Sequence, residues 1–102
     1  MEIVTDGPTL VLHGDFDARS TWEVRTALQE RLHGTEVDVV VDLTDVWSID
    51  VTATRVLAYA SREAALAGNH VTLRGCSPAV RRMLHISRLM RFVDVERAAA
   101  TA

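Results

Sequence analysis

The segment Val37-Asp38-Val39-Val40-Val41-Asp42-Leu43 decides the fold. Its nearly continuous run of β-branched residues predicts a central, largely buried strand. After it, a turn at Thr44-Asp45-Val46 is predicted to lead into Trp47-Ser48-Ile49-Asp50. A helix is then predicted from about Thr52 to Ala67, because apolar residues recur there at helical spacing and Gly68-Asn69 ends the pattern.

Toward the N-terminus, the sequence predicts a β-hairpin followed by a helix. Ile3–Thr5 and Thr9–Gly14 are the predicted strands, and Asp6-Gly7-Pro8 is the turn between them. A second turn follows, in which Asp17 or Ser20 is expected to cap the helix. That helix is expected to end at Gly34, and its predicted inner face consists of Trp22, Val24, Ala27, Leu28 and Leu32.

Toward the C-terminus, His70–Arg74 is predicted to be a strand and Phe92–Val95 a last, short strand. Between them, Ser77 is expected to cap a third helix with Pro78 at its first position. The inner face of that helix is predicted to hold Val80, Met83 and Leu84. Residues 97–102 are expected either to add helix or to fray.

The predicted order is therefore β β α β α β α β. Strands that alternate with helices pair in parallel through crossovers, so we predict an α/β fold with a mixed sheet of four to five strands and an opening antiparallel hairpin. The 102 residues are expected to form a single domain, residues 1–102. The content of 48% apolar and 25% charged residues is typical of a folded globular protein.

Composition also excludes several classes of protein. No apolar run approaches the roughly 20 residues of a membrane helix, and the first residues do not resemble a signal peptide, so we expect a cytoplasmic protein. The single Cys76 excludes an internal disulfide and a multi-cysteine zinc site, and we interpret it as a small apolar residue rather than a redox sensor. The four histidines lack the close spacing of metal ligands.

Charge is distributed unevenly along the chain. Residues 1–50 contain three arginines and 11 acidic residues, for a charge of −8, whereas residues 51–102 contain eight arginines and three acidic residues, for +5; together these give −3. A basic half can indicate nucleic-acid binding, but the acidic total and the few aromatic residues argue against it. We interpret the asymmetry as a polarised surface that orients a protein partner.

No catalytic constellation is recognisable. Asp15 and Asp17 could form an acid and base pair, but their place in a predicted turn favours turn and cap roles. The glycines are isolated, so there is no phosphate-binding loop. We therefore expect a non-enzymatic protein without a cofactor or metal.

Four stretches together resemble the STAS domain (sulphate transporter and anti-sigma factor antagonist). Gly14–Asp17 is similar to the family's Gly-Glu-Leu-Asp turn, and Val39–Thr44 is similar to its central strand ending in Asp-Leu-Ser. Ile49–Ala53 occupies the place of the Asp-Ser-Ser-Gly phosphorylation loop, and Leu73–Leu84 follows the late strand-to-helix segment. Their order and spacing extend the resemblance over nearly the whole chain.

The resemblance implies an anti-sigma factor antagonist. Such a protein binds an anti-sigma factor that is often a serine kinase, and phosphorylation at the start of the second helix ends the complex. The motif places Thr52 at the acceptor position and Asp50 at the acid of the loop. It departs from the family at Val51, in place of the first serine, and at Ala53, in place of glycine. Alanine has less backbone freedom than glycine, which disfavours efficient phosphorylation by a kinase.

The predicted partner-binding residues are Asp17, Trp47, Asp50, Val51, Thr52, Thr54 and Arg55. A phosphate at Thr52 would add about −1.5 to −2 charge to an interface while a helix N-terminus tolerates it. The alternative is that Thr52, Thr54 or Asp50 only caps the helix. Three functions stay open: a phosphorylated antagonist, a divergent STAS scaffold that binds its partner constitutively, and a domain that binds a small molecule or nucleotide or acts as a minor enzyme. No membrane or nucleic-acid partner is expected, and a weak homodimer is left open.

Overall fold

A computed structural model describes residues 1–34 and 38–96, except for the side chains of residues 33 and 34. One five-stranded sheet has the strand order β1-β2-β3-β4-β5, in which β1 and β2 are antiparallel and every other pair is parallel. The strands are β1 Glu2–Asp6, β2 Thr9–Phe16, β3 Val39–Ile49, β4 Val71–Arg74 and β5 Asp94–Val95. The helices are α1 Thr21–Gly34, α2 Val51–Leu66 and α3 Pro78–Ile86, with a 3₁₀ turn at Met90–Phe92.

This order confirms the predicted mixed α/β architecture with an opening hairpin. Each helix connects two neighbouring parallel strands, and right-handed crossovers in one direction across a sheet place all helices on the same face. Burial agrees, since alternate residues on the strands are buried and pack with the inward residues of the helices. This core comprises Leu10, Leu12, Val39, Val41, Leu43, Val71 and Leu73 from the sheet and Val24, Leu28, Leu57, Val80 and Leu84 from the helices.

The predicted turn at Thr44-Asp45-Val46 is wrong, because β3 continues through it to Ile49. The register against β2 shifts twice, and each shift leaves one extra residue on β3. Such β-bulges change which side chains face inward. The buried residues accordingly change from every second position to every third, at Leu43, Val46 and Ile49. The bulges keep an unusually long strand attached to the core.

Other boundaries differ from the prediction by a few residues. Strand β2 runs through Phe16, two residues beyond the predicted end at Gly14, so Asp15 and Phe16 lie in a strand instead of a turn. Its length follows from Phe16, which is fully buried and fixes the end of the strand to the core. At the other end, β5 contains only Asp94–Val95, because Phe92 belongs to the preceding 3₁₀ turn. Val37 and the predicted tail at residues 97–102 lie outside the described residues.

Trp22 was predicted to lie in the core, and this prediction is wrong. Its side chain is 73% exposed. The prediction grouped it with Leu28, yet six residues correspond to one and two-thirds turns of helix, which places the two side chains on different faces. The buried face of α1 is set by Val24 and Leu28. A tryptophan on the opposite side of the helix is therefore exposed to solvent.

No helix in the described part of the chain is long and apolar enough to cross a membrane.

Candidate functional site

Three segments meet where β2 and β3 end: the loop between β2 and α1, the end of β3, and the start of α2. Because β2 and β3 are parallel, their carboxyl ends lie at the same edge of the sheet. The helices that follow them begin there, so sequence-distant residues come together. We call this the α2 N-terminal surface and define it by Asp17–Arg19, Trp47, Asp50–Thr52 and Arg55.

Asp50 joins two of these segments through its carboxylate. Its Oδ1 accepts a hydrogen bond of 2.8 Å from the N–H of Ala53, which makes Asp50 the N-cap of α2. Its Oδ2 accepts one of 3.0 Å from the N–H of Ala18, 32 residues earlier in the chain. The cap therefore also fixes the β2–α1 loop against the start of α2. The sequence suggested the cap but contained no signal for the bond to Ala18.

Thr52 is the second residue of α2 and its side chain is exposed. Its hydroxyl makes no hydrogen bond within the described part of the chain, so the helix is capped by Asp50 and not by Thr52. The preceding Val51 is 39% exposed and adds apolar surface beside it. Ala53 is fully buried, so its methyl group points into the core and away from any molecule that approaches Thr52.

Thr54 lies inside the protein, with no exposed surface. Its hydroxyl donates a 2.7 Å hydrogen bond to the carbonyl oxygen of Asp50, which also accepts the Thr54 N–H at 3.0 Å. The expectation that Thr54 contacts a partner is therefore wrong for this conformation. Its role is internal, because it fixes the first turn of α2 from the core side.

The β2–α1 loop is held by its own polar contacts. Asp17 Oδ2 lies 2.8 Å from the Arg19 guanidinium, and Asp17 Oδ1 accepts the Arg19 N–H at 2.9 Å. The hydrogen bond from the Arg19 side chain is the largest cause that lowers the pKa of Asp17. The hydroxyl of Ser20 accepts the Asp17 N–H at 3.2 Å, so it bonds back to the loop instead of capping α1. Asp17 is thus a loop-shaping residue at the border of the surface.

A second link joins the loop side to β3. The hydroxyl of Ser48 donates a 2.7 Å hydrogen bond to Asp15 Oδ1, across 33 residues of sequence. Ser48 follows Trp47 in β3. Trp47 is the extra residue of the second bulge, and its side chain is 74% exposed. An exposed tryptophan on a fixed strand is a typical anchor of a protein interface. The exposed Trp22 at the start of α1 adds a second aromatic side chain at the same edge of the sheet.

A groove of about 320 Å³ runs between α1 and α2 and begins at Thr52. Its walls are mostly apolar, and Arg25 and Arg55 border it beside Thr52. The sequence prediction included Arg55 but not Arg25. The missing signal is the packing of α1 against α2, which no residue pattern within either helix specifies.

The chemistry of these residues fits recognition of a partner. Among the described residues, no three His, Cys, Asp or Glu side chains are grouped as a metal site would require. Cys76 is partly buried and lies apart from the surface, and burial raises the pKa of its thiol while Arg81 offsets part of that effect. What the surface does offer is one free hydroxyl and one exposed tryptophan, beside an apolar groove.

The sequence compared with known families matches the model described as "Mlab, STAS domain" over residues 2–94. The chain belongs to the STAS domain family. The resemblance predicted from its motifs is thus confirmed, and the site above is the start of the second helix of a STAS domain. A search of the curated proteins finds no match.

Solved structures agree on the fold. A variant of RsbS from Moorella thermoacetica is 26% identical, with a TM-score of 0.73 over 93% of this chain and 84% of that one. The Thermotoga maritima protein TM1081, described as an anti-sigma factor antagonist, is 17% identical, with a TM-score of 0.77 over 97% and 87%. The antagonist SpoIIAA in its unphosphorylated form is 15% identical, with a TM-score of 0.75 over 93% and 86%. The last two likenesses concern the fold alone.

Proposed function

We propose that this STAS domain is an anti-sigma factor antagonist that binds an anti-sigma factor with serine-kinase activity, and that phosphorylation of Thr52 ends the binding. The observation that carries the proposal is the free, exposed hydroxyl of Thr52 on the rigid first turn of α2. The likeness to antagonists among solved structures supports the class of partner. In this role the protein is a binding partner that regulates transcription and not an enzyme.

The geometry supports a switch that acts without unfolding the domain. A phosphate on Thr52 would lie among the unpaired N–H groups of the first turn, where negative charge is favourable. Arg55, one turn further along α2, is close enough in sequence to pair with it. The same phosphate would add about −1.5 to −2 charge next to Val51 and Trp47, where a partner would have to desolvate it. The fold is kept while the interface becomes unfavourable.

The two departures from the family motif bear differently on this proposal. Ala53 replaces a glycine, but its methyl group is buried and presents no obstacle at the surface. Val51 replaces a serine and leaves Thr52 as the sole hydroxyl on the exposed part of the first turn, since Thr54 is buried. Phosphorylation would then occur at one position only.

A second function is favoured by the same departures. With valine and alanine in the phosphorylation loop, the chain can serve as a STAS module that binds its partner constitutively, as a scaffold or a subunit of a complex. The family model that matches the chain is described as Mlab and not as an antagonist, which supports this alternative. Both functions use the α2 N-terminal surface and differ in whether Thr52 is modified.

Intact-mass spectrometry after incubation with ATP and each anti-sigma kinase of the same organism separates the two functions. The wild-type protein is expected to gain one phosphate and Thr52→Ala none. Thr26→Ala is the matched control, because Thr26 is an exposed helical threonine on α1 and its loss should leave the phosphate in place. A stable complex with no phosphate on the wild-type protein would instead identify the constitutive module.

A further inference from the structure

The face of the sheet opposite the helices is uncovered among the described residues. Right-handed crossovers put all three helices on one face, as described above, and no described element packs on the other. Parallel sheets in known folds are almost always covered on both faces, because each face of a parallel strand tends to be apolar. Here an apolar centre is indeed present: Val4 is paired with Val11, and Val40 lies diagonal to Val11 on β3. Val4 is 42% exposed.

Carboxylates surround this apolar centre. The strand register places seven acidic residues and one arginine on the open face, which gives −6 with histidines neutral: Glu2, Asp6, Asp15, Asp42, Asp45, Asp94, Glu96 and Arg74. Arg74 is already paired with Glu96 at 3.1 Å. Asp45 lies 3.1 Å from His13 and Asp94 lies 3.5 Å from His70. Glu2, Asp6 and Asp42 have no cationic partner within 4.0 Å in the described part of the chain, so they are available to an external partner, which must be basic and partly apolar.

The opposite side of the same molecule has that chemistry. The helices and the turn after α3 carry eight arginines and three glutamates, which gives +5: Arg25, Arg31, Arg55, Arg62, Arg81, Arg82, Arg88, Arg91, Glu23, Glu30 and Glu63. None of these arginines lies within 4.0 Å of a carboxylate in the described part of the chain. Large apolar side chains are exposed among them, with Leu66 81% and Ile86 63% accessible.

We propose that the open acidic face of the sheet binds the arginine-rich helical side of a second copy of this chain. The two surfaces differ, so the contact is heterologous. A pair of molecules therefore leaves one acidic face and one helical side free for further copies. Copies can then associate head to tail into reversible chains. Arg62 on α2 and Arg82 on α3 would face Glu2 and Asp6 on β1 of the neighbour. The α2 N-terminal surface lies at the edge of the sheet and shares only Arg55 with the helical side, so Arg62 and Arg82 test this contact apart from the proposed phosphorylation.

Electrostatic attraction between exposed groups predicts a strong dependence on salt. Sedimentation velocity of the whole chain at low salt should show a mean mass that rises with protein concentration. The rise should disappear at about 0.5 M salt, where the screening length falls well below the roughly 10 Å found at 0.1 M. This experiment needs no substitution. A protein that stays monomeric at low salt across the accessible concentrations would overturn the proposal.

Charge reversal on each surface tests the head-to-tail geometry. Glu2→Arg/Asp6→Arg should weaken self-association at least about tenfold, and Arg62→Glu/Arg82→Glu should do the same. All four side chains are exposed, so circular dichroism should show folded variants. Glu23→Arg/Glu30→Arg on α1 changes the net charge by the same amount as Glu2→Arg/Asp6→Arg and is the matched control for that variant. This control should still associate.

Mixing the two variants gives the decisive readout. One variant is basic at both surfaces and the other acidic at both, so each should associate weakly alone, whereas an equimolar mixture regains opposite charges at every contact and should associate again. If mixing does not restore association, the acidic face and the helical side are not each other's partners. That result, or self-association that neither variant changes, would overturn the proposal.

Discussion

The starts of α2 and α3 have the same local design and different surroundings. Both helices follow a parallel strand, and both begin with a side-chain cap, Asp50 for α2 and Ser77 for α3. Ser77 accepts the Val80 N–H at 3.2 Å and is followed by Pro78 at the first helical position. Asp50 accepts the Ala53 N–H and, in addition, the N–H of a residue in a distant loop. One cap is local and the other joins two elements.

The difference shows why only one of the two helix starts is a candidate site. A cap by itself satisfies N–H groups that every helix leaves unpaired. The start of α2 also brings together an exposed hydroxyl, an exposed tryptophan and a fixed loop. The start of α3 offers only Cys76, which is partly buried. The surroundings of a helix cap, and not the cap itself, therefore indicate a functional site. The substitutions below test this comparison between the starts of α2 and α3.

The largest effect is expected at Gly75, which precedes the cap of α3. Its φ is +69°, and a Cβ there would overlap Thr44 Oγ1 and approach the Thr44 backbone N to 3.0 Å. Gly75→Ala should lower the free energy of unfolding by about 3 kcal/mol, from backbone strain and the displacement of β3. Gly68→Ala, with φ +83° and open space around it, should cost about 1 kcal/mol. Urea denaturation measures both, and equal losses would show that Thr44 moves freely.

Next comes the direct comparison of the caps. Asp50→Ala removes two hydrogen bonds and should lower the free energy of unfolding by about 2–3 kcal/mol. Ser77→Ala removes one and should cost about 1 kcal/mol. If the two variants lose the same stability in urea denaturation, the bond to Ala18 contributes nothing. The shape-conserving Asp50→Asn should fall between them, since it keeps one acceptor oxygen.

A smaller contrast is expected between two threonines on the first turn of α2. Thr54→Val removes a buried hydroxyl that donates to the Asp50 carbonyl and should cost about 1 kcal/mol. Thr52→Val changes an exposed side chain and should stay within about 0.5 kcal/mol of the wild type. Thermal unfolding of both variants makes the comparison. A marked loss in Thr52→Val would indicate that this residue stabilises the helix, which would weaken its role as a free acceptor.

The smallest effect concerns the thiol near the start of α3. Because burial raises the pKa of Cys76, the folded protein holds the thiol proton more tightly than the unfolded chain does. The protonated thiol of Cys76 therefore contributes fully to the free energy of unfolding at pH values below the pKa of this thiol in the unfolded chain. The contribution decreases as the pH rises toward the raised pKa of the folded protein. Alkylation of the native protein should therefore be slow at neutral pH and lag behind that of the urea-unfolded chain. Equal rates would show that the thiol is accessible as a thiolate.

Local patterns were sufficient to predict most elements and their order. The β-branched run at residues 37–43, the helical spacing after Thr52 and the Ser77-Pro78 pair each depend on nearest neighbours along the chain. At Trp22 the prediction was wrong because it grouped this residue with Leu28 across six positions, a spacing that helix geometry places on different faces. The bulges in β3 were also missed. They adjust the pairing of β3 with β2, and no residue pattern within β3 alone indicates that register.

What the sequence alone determined is the fold family, the helix starts and the uneven distribution of charge. Tertiary structure decided which of two neighbouring threonines is free, because the inward direction at Thr54 is set by the core around α2. It also decided that Asp50 holds a loop 32 residues away. Finally, it placed the acidic residues of the strands and the arginines of the helices, which come from both halves of the chain, on opposite faces, because the crossovers place every helix on one side of the sheet. Contacts across long sequence separations have no local signature, so only the folded chain reveals them.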